Sequence, residues 1–344
     1  MTFSYICAVE PPGTLANLML DSKFLNDQMN RSSRLEYRQV GQTDLQISAI
    51  GFGASPLGNV FGPIDAEEGR RAVHLAIDEG INFFDVSPYY GLTLAEERLG
   101  QALLGKRHRV VLSTKCGRYG VDQFDFSASR IRLSIEESLR RLRTDYIDLW
   151  LAHDVEFGDA EQIINETIPA MRSLQRQGKV RYVGISGYPL KVLMHIAEKA
   201  PVDCILSYCH YNLLIDDMDS VLMPFAEKLA IGVINASPLH MGMLTERGAA
   251  EWHPAPLKVR LAVKEAQSFC QMHGVDLAEM AIQFCLDYPR VKTTLVGMAS
   301  AEEVRRNLRA YRNSPDRDLM RQIKTMLAPV SNMQWPSGTS ENCD

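Results

Sequence analysis

From residue 35 onward, apolar and polar positions along the chain settle into one recurring rhythm. LEYRQVG and LQISAI alternate apolar and polar residues on either side of Gly41-Gln42-Thr43-Asp44, the signature of a β-hairpin. After it, short runs rich in β-branched and aromatic residues recur eight times. They lie at 49–54, 81–87, 109–115, 146–153, 180–187, 203–208, 232–237 and 293–297. Segments of helical period stand between them, among them 67–80, 128–142 and 160–178. Ser127 or Ser129 can cap the second of these helices, and Gly80 and Gly178 stand where helices end. The strand runs are almost continuously apolar, as strands buried on both faces must be.

Strict alternation of eight strands with helices predicts an α/β protein with a closed (β/α)8 TIM barrel, its N-terminal hairpin at the barrel bottom. An open doubly wound sheet is the alternative. The expected organisation is an N-terminal extension over 1–34, poorly ordered, then the barrel over 35–328 and a C-terminal tail over 329–344.

Composition narrows the function classes. In 344 residues, 46% hydrophobic and 23% charged, the chain has apolar surface enough for a large core. Lys plus Arg total 37 against 42 Asp plus Glu, a net charge of −5, which offers no basic footprint for nucleic acid. No run approaches the roughly 18 apolar residues of a membrane span. Seven cysteines without a Cys-x-x-Cys spacing suit a reducing compartment better than a disulfide framework. The first twenty residues lack a basic leader region, and Glu10, Pro11 and Pro12 break their apolar stretch. A cytoplasmic protein, monomer or homodimer, is expected. The eight histidines show no metal-ligand spacing, so no metal is expected.

A barrel places chemistry at the C-terminal ends of its strands. The second strand ends in FFDVSPYYG, with Asp85 and then Tyr90; the third ends at Lys115 and the fourth at His153. Each has a bland use as a cap, a core aromatic, a solvated strand end or a core histidine. Together they assemble a proton-transfer site. A phenol has an ordinary pKa near 10, and a lysine cation held by a carboxylate lowers it toward neutrality. An imidazole beside them can orient a substrate oxygen. Cys116, next to Lys115, reads either as a buried thiol or as a reactive thiolate beside a cation.

In order and strand position, Asp85, Tyr90, Lys115 and His153 resemble the catalytic tetrad of the aldo-keto reductases. The segments VGISG (183–187), HYNLL (210–214) and ASPLHMGMLT (236–245) are similar to that family as well. The resemblance covers roughly 35–328. Within the family the text is nearest to dehydrogenases that oxidise sugars at C1, which implies L-galactose first and L-fucose or D-arabinose as related substrates. An NADPH-dependent carbonyl or aldehyde reductase, or a cofactor-binding regulatory subunit with little turnover, are the alternatives.

The resemblance also implies where a dinucleotide lies. The carboxamide falls to Ser186 and Gly187, where the family more often has Ser-Asn, and to Tyr208, where many members have glutamine. Ser237, Leu239 and Gly242 fall along the pyrophosphate, and Gly297, Ala299, Glu303 and Asn307 in the adenosine segment. With no cation at Ala299 and a carboxylate at Glu303, NAD is expected in preference to NADP. Arg305 and Arg306 are the nearest cations in sequence. Phe61, Tyr89 and Trp252 are candidates for the apolar face against which a sugar ring stacks, or for loop packing.

Overall fold

The computed structural model describes residues 34–343; the extension read over 1–34 lies almost wholly outside the described residues. The hairpin is β1 (Tyr37–Gln39) and β2 (Gln46–Ser48), paired antiparallel. Eight parallel strands then close into a barrel. They are β3 (Ile50–Gly53), β4 (Phe83–Asp85), β5 (Val111–Cys116), β6 (Ile147–Ala152), β7 (Val180–Gly187), β8 (Cys204–Tyr208), β9 (Gly232–Ala236) and β10 (Thr293–Gly297). Neighbours in sequence are neighbours in space, and β10 pairs with β3 to close the ring. The open-sheet alternative is thereby excluded.

Side chains alternate between two cores, as the period of a strand requires. Phe83, Leu149, Leu151, Cys204, Leu206, Ile234 and Leu295 fill the barrel interior. Trp150, Val183 and Ile185 point the other way, into the layer between barrel and helices. Val40, Leu45 and Ile47 of the hairpin belong to the interior cluster and stopper the barrel floor. The turn at Gly41 (φ +51°) fits so closely that a Cβ there would stand 2.6 Å from the Gly232 amide nitrogen at the start of β9. Only glycine meets both demands.

The helix at Ala128–Leu142 has the expected bounds, and Ser127, not Ser129, caps it by accepting from the Arg130 N–H. The helix expected at 160–178 is interrupted. Ala160–Gln162 gives way to a π-helical turn at Ile163–Thr167 before Ile168–Arg176 completes it. Pro169, within the first turn of that last segment, has no N–H to donate four residues back, so the ladder widens there. Gly178 (φ +78°) ends the element as read.

Residues 329–344, read as a tail, are packed as far as they are described. The Trp335 ring stacks on Tyr188 at 4.4 Å, and Asn342 donates to the Gly158 carbonyl at 2.7 Å. Tyr188 follows β7 and Gly158 follows β6, so the tail lies across the C-terminal mouth of the barrel. Among the described residues no helix is long and apolar enough to cross a membrane.

Candidate active site

Four side chains from three strand ends meet at that mouth. Asp85 closes β4, Lys115 is the penultimate residue of β5, His153 follows β6, and Tyr90 lies in the turn after β4. The Lys115 side chain is 1% exposed and Asp85 is 3% exposed. Burying a lone cation costs several kcal/mol, so Lys115 needs compensation. It donates to Asp85 Oδ1, to the Val86 carbonyl at 2.9 Å and to Tyr90 Oη at 3.2 Å. Ser113 holds the other carboxylate oxygen at 2.8 Å. All three lysine protons are used, and the Tyr90 hydroxyl proton is left to face the mouth.

Burial changes the expected proton affinities. Asp85 and Tyr90 hold Lys115 in its charged form, above its ordinary value although desolvation opposes this. Tyr90 is not brought toward neutrality. Desolvation raises it to about 12, with Lys115 opposing and the carboxylates of Asp85 and Asp154 adding to the rise. The sequence-based expectation gave the lysine its full effect; in the folded protein Asp85 already neutralises much of that charge. The phenol is therefore a proton donor near neutrality, and phenolate forms only at alkaline pH.

His153 sits edge-on to Tyr90, ring centroids 5.7 Å apart. Its backbone N–H donates to the Cys116 carbonyl, tying β6 to β5 at this level. Desolvation, reinforced by the cations of Lys115 and Arg118, drives the imidazole pKa down to about 3, so the ring is neutral. Its Nδ1 pairs with the Ser87 hydroxyl at 2.9 Å, and that hydroxyl also accepts from the Tyr89 N–H. With Ser87 donating to Nδ1, the ring proton rests on Nε2, which can donate to a substrate oxygen.

Three residues join the site that motif spacing did not reveal: Ser87, Arg118 and Asp154. Asp154 has left-handed backbone (φ +51°) and is buried, with Oδ1 3.6 Å from His153 Nε2. Arg118 donates to its Oδ2 at 2.5 Å and lies 3.8 Å over the Tyr89 ring. A non-glycine residue with positive φ is a strain that sites of function tend to keep. The only sequence signal was position, since Asp154 directly follows His153. Cys116 is fully buried and desolvation pushes its thiol well above the ordinary value, so it packs and does not react.

The other candidates take up separate places around the rim. Ser186 and Gly187 end β7, Tyr208 ends β8, and Gly297 ends β10. Ser237 and Gly242 have positive φ in a loop of successive tight turns after β9, with Leu239 between them. Glu303 completes a capping box on the helix Ala301–Arg312, accepting from the N–H groups of Ala299 (2.7 Å) and Ser300 (3.1 Å). Asn307, on the same helix, is buried with both amide atoms lacking a hydrogen-bond partner. Tyr89 stands 6.1 Å from the His153 ring. Phe61 (40% exposed) and Trp252 (56% exposed) pair with each other at the rim, 6.5 Å apart. Among the described residues there is no cluster of three His, Cys, Asp or Glu side chains placed to hold a metal.

A phenol poised over a buried lysine–aspartate pair, beside a neutral imidazole, is machinery for moving a proton at a carbonyl or carbinol oxygen. On this barrel it defines an oxidoreductase. The chain belongs to the aldo/keto reductase family, whose model matches residues 49–328. That family works with nicotinamide cofactors. The chain is 44% identical over 324 residues to L-galactose dehydrogenase of Arabidopsis thaliana, covering 90% of this chain and all of that one. It is 32% identical to D-arabinose 1-dehydrogenase of Saccharomyces cerevisiae, over 77% of this chain and 86% of the relative. Among solved structures, the holo form of an aldo-keto reductase from Bacillus halodurans superposes with a TM-score of 0.72. That match is 27% identical and covers 90% of this chain and 99% of the other.

Proposed function

We propose that this protein is an NAD-dependent aldose 1-dehydrogenase, with L-galactose as its first substrate and L-fucose or D-arabinose as related ones. In the cyclic sugar the C1 hydroxyl belongs to a hemiacetal, so loss of hydride from C1 gives the lactone directly. Tyr90 takes the hydroxyl proton and His153 Nε2 donates to the same oxygen; Lys115, held by Asp85, stabilises the phenolate. The nicotinamide, when bound, supplies the hydride acceptor. Tyr89, with Phe61 and Trp252 at the rim, offers apolar faces to the sugar ring.

One observation carries the sugar reading: the buried Asp154–Arg118 pair beside His153 Nε2. A pocket for a simple aliphatic aldehyde has no need of a buried carboxylate–guanidinium pair beside His153, whereas a polyol has hydroxyls that such a pair can bind. The similarity to two sugar C1 dehydrogenases supports the same reading.

For the cofactor, Ser186, Gly187 and Tyr208 would hold the carboxamide. Ser237, Leu239 and Gly242 would follow the pyrophosphate, and Gly297, Glu303 and Asn307 the adenosine. The fit is supported by Asn307, whose unpartnered donor and acceptor an adenine edge would satisfy. NAD over NADP is supported by Glu303, whose carboxylate already takes the helix N-terminal N–H groups a 2′-phosphate would seek. The deciding experiment is a panel of aldoses assayed with NAD and with NADP. Lactone formation from L-galactose with NAD is the expected result. Activity confined to aldehydes with NADPH would replace this reading with the reductase, and no turnover with any pair would favour a regulatory subunit.

A further inference from the structure

Glu156, fully buried at the barrel mouth, is a carboxyl that proton transfer does not use. It lies in the turn Val155–Phe157 after β6 and reaches toward the end of β7. Its Oε1 accepts from the Tyr188 N–H at 3.2 Å, the Ser337 hydroxyl at 3.2 Å and the Tyr208 hydroxyl at 3.5 Å. Its Oε2 has no partner. That oxygen stands 2.5 Å from where a Cβ on Gly187 would be, so the carboxyl fills the space a side chain at 187 would take.

Burial and the neighbouring Asp154 carboxylate raise the Glu156 pKa well above the ordinary carboxylate range, which favours its protonated form. Oε1, approached by three donors, is its carbonyl oxygen, and the proton belongs on Oε2. The result is a buried hydroxyl donor with nothing to donate to, an arrangement that costs stability unless a ligand uses it.

We infer that Glu156 is the side chain that reads the nicotinamide carboxamide, its Oε2–H, seated where a side chain at 187 would be, donating to the amide oxygen. The inference rests on the cofactor placement proposed above. It makes Glu156 a binding residue supplied by a different strand from the one that ends at the carboxamide. Ser337 and Tyr208 act as positioning residues that fix which oxygen carries the proton.

The test compares two ligands of the full-length protein by fluorescence titration: NAD, and ADP-ribose, which lacks the nicotinamide. Glu156→Leu keeps the volume and removes the donor; it should weaken NAD binding at least tenfold and leave ADP-ribose within twofold. Glu156→Gln restores a donor and should bind NAD within about threefold of wild type. Glu156→Asp, which withdraws the carboxyl by one methylene while keeping its chemistry, should reproduce the NAD-selective loss and decides the matter if Glu156→Leu does not fold. Equal weakening of both ligands would show that Glu156 only anchors the tail, and unchanged NAD binding would remove it from recognition; either overturns the inference. A wild type that binds NAD yet oxidises no aldose would count against the proposed function and leave this comparison intact.

Discussion

The Ser87 hydroxyl lies 2.9 Å from His153 Nδ1, and through that contact a residue of the β4 turn governs an imidazole just after β6. With the ring neutral, the position of its single proton decides whether Nε2 donates to the substrate oxygen or repels it. Ser87→Ala removes that control without opening a large cavity. We expect turnover to fall about tenfold, in the range for one lost catalytic hydrogen bond, while the affinity for NAD stays within twofold. Steady-state kinetics with a parallel binding titration checks both halves.

Tyr90→Phe should lower turnover by about 100-fold or more and leave NAD binding nearly intact, because the proton acceptor is lost and the pocket is kept. Near-normal turnover in this variant would take Tyr90 out of the mechanism.

The pH dependence should differ between the two directions. Oxidation needs phenolate, and burial pushes Tyr90 up to about 12, so kcat/KM for the aldose should climb with pH across the alkaline range. Reduction of the lactone or of an aldehyde needs the protonated phenol, present at every pH below that value, and should show no such climb. With its pKa near 3, His153 adds no limb between pH 5 and 8. A bell centred near 6.5 would contradict the neutral imidazole.

Cofactor preference offers a graded test. Glu303→Gln with Ala299→Arg frees the helix N-terminus of its carboxylate and supplies a cation, so preference should move toward NADP. Each step should contribute on the order of 1 kcal/mol, the scale of partly exposed charge contacts. The quantity to follow is the ratio of kcat/KM for the two cofactors at fixed ionic strength. A ratio that does not move would show that the ribose is read elsewhere.

The barrel was legible because a buried strand declares itself in a run of apolar residues. VRYVGISG and TTLVG became β7 and β10 with no change of bounds. The tetrad was legible because strand order converts spacing into convergence. Three things were not. Pro169 was read inside a continuous helix, because the register shift it forces depends on local hydrogen bonds and not on apolar period. Arg118, Asp154 and Glu156 sit on loops whose residues meet only after folding, and the Asp154 backbone angle leaves no mark in composition. The ionisation of Tyr90 went the other way because burial of the phenol outweighs a Lys115 cation that Asp85 already blunts, and burial depends on packing that spacing does not show.

The stopper of Val40, Leu45 and Ile47 has a kinetic consequence. A vessel sealed at its floor has one doorway, and whatever goes in must come back out the same way. Under the proposed function, sugar and dinucleotide would share one opening, part of whose sill the carboxy-terminal residues around Trp335 already occupy. Product and spent carrier would have to leave by the doorway through which both entered.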